Sequence, residues 1–214
     1  MVKEYNADYR FKVCIIGAAG SGKTAMVDQL VNHEFHEETK TTVGVEYATL
    51  AFNVNDYTVQ LEMWDTAGQE KYHSIAKTYF RNAKACVLVF DISEQKSFDE
   101  LTLWLDMFRQ LADPNAYIIL VGNKADLEEQ RQVQGTQAQE FAKENLLEYI
   151  ETSSVTGQNI KETFEKIARI LFDYAKEGKM DVVSSFFLLF VIILSQFQNK
   201  IFWLKYIDLV GGVL

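Results

Sequence analysis

"GAAGSGKT", Gly17 to Thr24, constrains this chain more than any other stretch. It lies between an apolar run, "FKVCII", and a segment with helical spacing at Met26, Val27, Leu30 and Val31. The pattern fits G-x-x-x-x-G-K-[ST], the composition that a loop wrapping phosphates requires. Successive backbone N–H groups must point inward, and side chains at Gly17 or Gly22 would block that path. The following helix N-terminus adds positive potential. Lys23 supplies a point charge to the outer phosphates, and the Thr24 hydroxyl can ligate Mg²⁺. Ala18, Ala19, Gly20, Ser21, Gly22, Lys23, Thr24 and Ala25 therefore form the candidate phosphate-binding set. The plainer reading is a glycine-rich turn with a solvated lysine, and placement between strand and helix argues against it.

Five further strands and their partners follow from patterning. "YATLAFNVND" and "YTVQLEMWD" predict a hairpin turning at Asn55-Asp56. "ACVLVFD" and "YIILVGNK" are apolar runs followed by amphipathic "SFDELTLWLDMFRQL" and "TQAQEFAKEN"; "LEYIETS" precedes "NIKETFEKIARILFDYA". Strands alternating with helices, and too apolar to be half exposed, predict an α/β fold with a parallel sheet covered on both faces. In such sheets ligands bind where the strands end. The polar motifs here all follow strands.

Three of those motifs narrow the nucleotide. In "WDTAGQE", Asp65 is placed to hold Mg²⁺, Gly68 to offer a backbone N–H to a γ-phosphate, and Gln69 to orient an attacking water. "NKAD" makes Asn123, Lys124 and Asp126 candidate base contacts. The Asp126 carboxylate can accept two N–H donors from guanine, a pair that adenine lacks. "ETSS" and the next residue add Ser153, Ser154 and Val155, where a backbone N–H can reach the guanine oxygen.

With these motifs in this order, the chain resembles the Ras superfamily of small GTPases, and within it the Rab family, from about Arg10 to about Phe172. "TTVGVEY", "LEMWDTAGQEKYHS", "YFRNA" and "CVLVFDIS" carry the Rab likeness. "FHE", "YHS" and "PNAYIILVGNKADL" are similar to the early-endosome Rabs. The resemblance implies a P-loop NTPase small G domain on a mostly parallel six-stranded sheet. It implies a switch that binds GTP or GDP with Mg²⁺, hydrolyses GTP and regulates vesicle-mediated membrane traffic. Thr42 would be the switch threonine reaching Mg²⁺ and γ-phosphate, beside Thr24 and Asp65. Gln69, Lys23 and Thr42 would be the catalytic group. Phe35 would pack on the guanine edge. Tyr47, Trp64 and Tyr79 would form the patch that effectors read, although core packing explains Trp64 nearly as well. An exchange factor and a GTPase-activating protein would act at two switch loops, His33 to Tyr47 and Ala67 to Tyr79. Three residues depart from the family pattern: Ala19, Val155 for the usual lysine, and Asn82 where Rabs favour glycine.

Two competing functions are weighed. One is a module that holds nucleotide with little or no turnover, which Ala19 near Gln69 keeps open. The other is a different P-loop enzyme such as a nucleotide kinase, which Asp126 and "WDTAGQE" oppose. The net charge of −9 (21 basic against 30 acidic residues) argues against nucleic acid as a partner. Cys14 and Cys86 lie in apolar runs and read as buried packing residues in a reducing, cytoplasmic compartment.

The expected domain plan is a 1–9 extension, the G domain at 10–172, and an atypical tail at 173–214. Residues 182–199 of the tail carry no charge. As a helix they would reach about 27 Å, against a hydrocarbon core of about 30 Å. A Rab would be expected to end in cysteines for prenylation, and no cysteine follows Cys86 here. The segment is therefore read as a membrane anchor on the cytosolic face of an endomembrane. A packed extra helix and an aberrant end are the rival readings.

Overall fold

The computed structural model describes residues 6–35, 42–69 and 73–180. The apolar segment 182–199 and parts of both expected switch loops lie outside the described residues. The chain runs β1 (Tyr9–Gly17), α1 (Lys23–Asn32), β2 (Val45–Val54), β3 (Tyr57–Thr66), α2 (His73–Phe80), β4 (Ala85–Asp91), α3 (Gln95–Asp99), α4 (Leu101–Arg109) and β5 (Tyr117–Asn123). A 3₁₀ helix (Ala125–Gln130), α5 (Gly135–Glu144), β6 (Glu148–Glu151) and α6 (Ile160–Lys176) complete it.

The six described strands form one sheet in the order β2-β3-β1-β4-β5-β6. Only the β2–β3 pair is antiparallel. Asn55 takes the left-handed φ of 53° that a two-residue hairpin turn demands, and asparagine tolerates it better than most residues. Alternate side chains of β1 enter different cores, as strand geometry requires. Val13 and Ile15 pack with Met26 and Leu30 of α1 and with Phe164, Ile167 and Leu171 of α6. Cys14 and Ile16 pack with Phe80 of α2, Trp104 and Phe108 of α4, and Ala138 of α5. This double cover explains the near-continuous apolar composition of β1 and β4. The crossover from β1 passes to one side and that from β3 to the other, so the ends of β1 and β4 frame the crevice.

Two expectations are refined. The single amphipathic helix expected after β4 is split into α3 and α4 at Glu100, whose φ of −79° and ψ of −8° keep the chain turning in the helical sense. The G-domain limits drawn at 10 and 172 fall inside β1 and inside α6. Tyr9, Tyr57 and Phe172 pack ring against ring with centroids 5.2–5.7 Å apart, and Lys176 sits over all three. Met180 is buried against the same core. Among the described residues no helix is long and apolar enough to cross a membrane.

Candidate functional site

The phosphate loop leaves β1 at Gly17, and its glycines answer to protein neighbours. A Cβ on Gly17 would lie 2.0 Å from the Val89 carbonyl oxygen of β4. One on Gly22, whose φ is +87°, would lie 2.3 Å from the Asn123 side-chain amide. Side chains at either position would also strike the neighbouring strand and loop. Lys23 is buried and donates to the carbonyls of Gly17 (2.9 Å) and Ala18 (2.7 Å). Two of its three N–H donors are used in this way. Burial lowers its pKa to about 8, opposed by Asp65. Ser21 is fully buried, and its Oγ donates to the Ala18 carbonyl at 3.0 Å.

Next to the loop, three oxygen-bearing side chains converge. Thr24 Oγ1 donates to Asp65 Oδ2 at 2.5 Å and lies 2.7 Å from Thr42 Oγ1. A hydroxyl has one proton, so Thr42 is the donor to Thr24. Asp65 is 2% exposed, and its Oδ1 has no hydrogen-bond partner among the described residues. Burial raises its pKa to about 6, and the bond from Thr24 works against that rise. A buried carboxylate oxygen without a partner, beside two hydroxyls, suits a hard cation that takes oxygen ligands. Mg²⁺ therefore fits these residues. Gly68 lies flat on the phosphate loop: a Cβ there would come within 2.4 Å of the Ala19 nitrogen.

A cavity of about 540 Å³ runs from this point to the other loops. Of the residues expected at the site, Ala19, Gly20, Gly22, Lys23, Thr24, Ala25, Phe35, Thr42, Gly68, Gln69, Asn123, Lys124, Asp126, Ser154 and Val155 line it. Ala18, Ser21, Asp65 and Ser153 are buried and do not line it. Phe35 is 40% exposed and Val155 49% exposed.

Asn123 is fully buried and braces the far end. Its Nδ2 donates to the Ser21 carbonyl at 3.0 Å, and its Oδ1 accepts from Thr152 Oγ1 at 3.1 Å and from Ser154 Oγ at 3.4 Å. Ser153 Oγ donates to Asp126 Oδ1 at 2.5 Å. The Ala125 N–H donates to the Thr152 carbonyl, which links the two base loops through the backbone. Lys124 pairs with Asp91 at the end of β4, 2.6 Å away.

Sequence reasoning missed Thr152, Asp91 and Leu127, the last of which lines the cavity. Asp91 could have been found as the polar residue ending an apolar strand. Thr152 stands inside "ETSS", but its bond to Asn123 depends on the β5–β6 pairing. Asn82, which departs from the expected glycine, has a φ of 60°. The chain needs a left-handed residue there, and asparagine supplies one.

The aromatic trio is assembled. Trp64 lies 4.9 Å from Tyr47 and 4.9 Å from Tyr79, centroid to centroid, with the Lys12 ammonium 5.2 Å over its ring. Trp64 also packs against the second core, as the core-packing reading expects.

The Ras family model matches residues 12–173. The chain belongs to the Ras family. Ras-related protein Rab-4B of Homo sapiens is 41% identical to it over 174 residues, 81% of this chain and 82% of that protein. Ras-related protein Rab-4A of Homo sapiens and that of Danio rerio are each 40% identical over 174 residues, again 81% of this chain. The likeness places this Ras-family chain on the Rab branch, similar to early-endosome members. As a Rab-type GTPase it hydrolyses GTP to GDP and phosphate and regulates vesicle-mediated membrane traffic.

Proposed function

We propose that the site works as a magnesium-dependent guanine-nucleotide switch through the residues named above. Thr24, Thr42 and Asp65 hold Mg²⁺, which when bound neutralises charge on the β- and γ-phosphates. The 2.7 Å approach of Thr42 to Thr24, with Asp65 Oδ1 unpartnered beside them, is the observation that carries this reading. Lys23 and the loop amides of Ala18 to Ala25 hold the phosphates. Gln69 orients the attacking water, and the Gly68 N–H accompanies the γ-phosphate. Asp126, held by Ser153, accepts from the guanine N1–H and 2-amino group, with Phe35, Lys124, Ser154 and Val155 around the base.

Turnover is slow alone. No arginine in either switch is placed to act on the γ-phosphate in cis, and Arg81 lies beyond the second. A missing charge of that kind costs about 10³–10⁵ in rate. A GTPase-activating protein supplies it, an exchange factor releases GDP, and effectors read Tyr47, Trp64 and Tyr79. The chain acts on the cytosolic face of an endosomal membrane.

Phosphate release under multiple turnover, with GTP and then ATP, tests the proposal. GTP is hydrolysed slowly, ATP is not, and Gln69→Leu keeps GTP binding while abolishing turnover. Equal use of ATP would remove the role of Asp126; unchanged turnover in Gln69→Leu would remove that of Gln69.

A further inference from the structure

Arg131 follows the 3₁₀ helix that begins beside Asp126, and it belongs to none of the phosphate or base motifs. Its side chain is only 11% exposed. Nη1 donates to Glu151 Oε1 at 3.0 Å and Nη2 to Glu151 Oε2 at 2.8 Å, a two-pronged pair. Nε and Nη2 also reach Glu128, and Nη1 reaches the Val133 carbonyl. Glu151 Oε1 also accepts from the Tyr149 hydroxyl at 2.6 Å. Its carbonyl accepts from Asn159 Nδ2 at 2.8 Å.

These bonds close a ring. Asp126 leads through the 3₁₀ helix to Arg131, across the ion pair to Glu151, along two residues to Ser153, and back to Asp126 through the Ser153 hydroxyl. The bond from the Ala125 N–H to the Thr152 carbonyl spans its middle. The base-reading carboxylate is therefore fixed at two points: by Ser153 directly, and by the guanidinium that sets the spacing of the two loops. Planar two-pronged pairs fix orientation as well as distance.

We propose that Arg131 is a positioning residue for guanine recognition, acting through Glu151 to hold Asp126 and Ser153 in register. This rests on the reading of Asp126 as the guanine acceptor. A loosened Asp126 would lose alignment with the two guanine donors before it lost all affinity for the nucleotide. Selectivity then falls faster than binding.

The test uses the full chain and compares GDP with IDP, whose base lacks the 2-amino group and offers Asp126 one donor instead of two. Equilibrium binding of both is measured for wild type, Arg131→Ala, Arg131→Lys and Glu151→Gln. In Arg131→Ala, GDP weakens by about tenfold and IDP by clearly less, so the preference for GDP narrows. Arg131→Lys restores part of that preference, since the charge is kept and the fork is lost. Glu151→Gln narrows it too, and serves should Arg131→Ala not fold. Equal weakening of GDP and IDP, or none, overturns the proposal and leaves the pair a structural support. Asp126→Asn separates the two layers. If it fails to gain XDP binding, the reading of Asp126 falls. If it gains XDP while both the Arg131→Ala and Glu151→Gln variants keep the wild-type GDP-to-IDP ratio, only the role of Arg131 falls.

Discussion

Asp65 has one carboxylate oxygen on Thr24 and another with no partner among the described residues, in a position 2% exposed. A cation resolves that burden; without one, the buried charge works against folding. The sign follows from the pKa, raised from 3.8 to about 6 by burial. Where the folded value of an acid exceeds the unfolded one, stability falls as pH rises through that window. In protein freed of metal and nucleotide, Asp65→Asn should stabilise the fold above pH 6 by on the order of 3 kcal/mol, and so raise the melting temperature there. The gain should vanish near pH 4. With Mg²⁺ and GDP present, the same variant should release nucleotide faster than wild type. Melting curves with and without chelator check both signs. The thiols make a second prediction at this scale. Cys14 and Cys86 are fully buried, and burial pushes the Cys14 thiol to about 12 and that of Cys86 well up too. Neither should react with a thiol reagent at pH 8 until the chain unfolds. Reaction in the native protein would contradict this. The two cysteines were legible from their apolar neighbours. The place of Gly17 was legible too, but not its reason, because the carbonyl it would strike belongs to β4, far along the chain.

The elements were largely legible because each apolar run is short, ends in a polar motif and is followed by a different periodicity. What was not legible came from pairings between elements. Thr152 matters because β6 lies beside β5, and Asn123 can reach it only across that pairing. The end of α6 is a similar case. Phe164, Ile167 and Leu171 form the buried stripe expected of an amphipathic helix, and Phe164→Ala should cost about 3–5 kcal/mol in chemical denaturation. Beyond them, Lys176 lies 4.0 Å above the Tyr57 ring and, towards the outer reach of a cation–π contact, 5.5 Å from Tyr9 and 5.4 Å from Phe172. Lys176→Met, which keeps most of the stem, should lower the melting temperature. In a double-mutant cycle with Tyr57→Leu the two losses should not add. Additive losses would show that the ammonium contributes nothing through the rings.

For the whole molecule, the anchor reading of the apolar segment 182–199 would divide the work of a switch between sensing and location. Liposome flotation of the full chain against a chain ending at Asp181, which keeps the buried Met180, checks the anchor reading. The full chain should float and the shorter one should not; equal flotation would count against the anchor. Within the body, Asn123 joins one carbonyl of the phosphate loop to hydroxyls of the last base loop. Asn123→Ala should therefore lower hydrogen-exchange protection at residues 20–22 and at 152–155 together, and loss at one stretch alone would contradict it. Such a linkage makes the two ends of the nucleotide grip one lever instead of two latches. A protein that pries at the phosphate end slackens the base end in the same movement, so it can eject a molecule it touches at only one extremity.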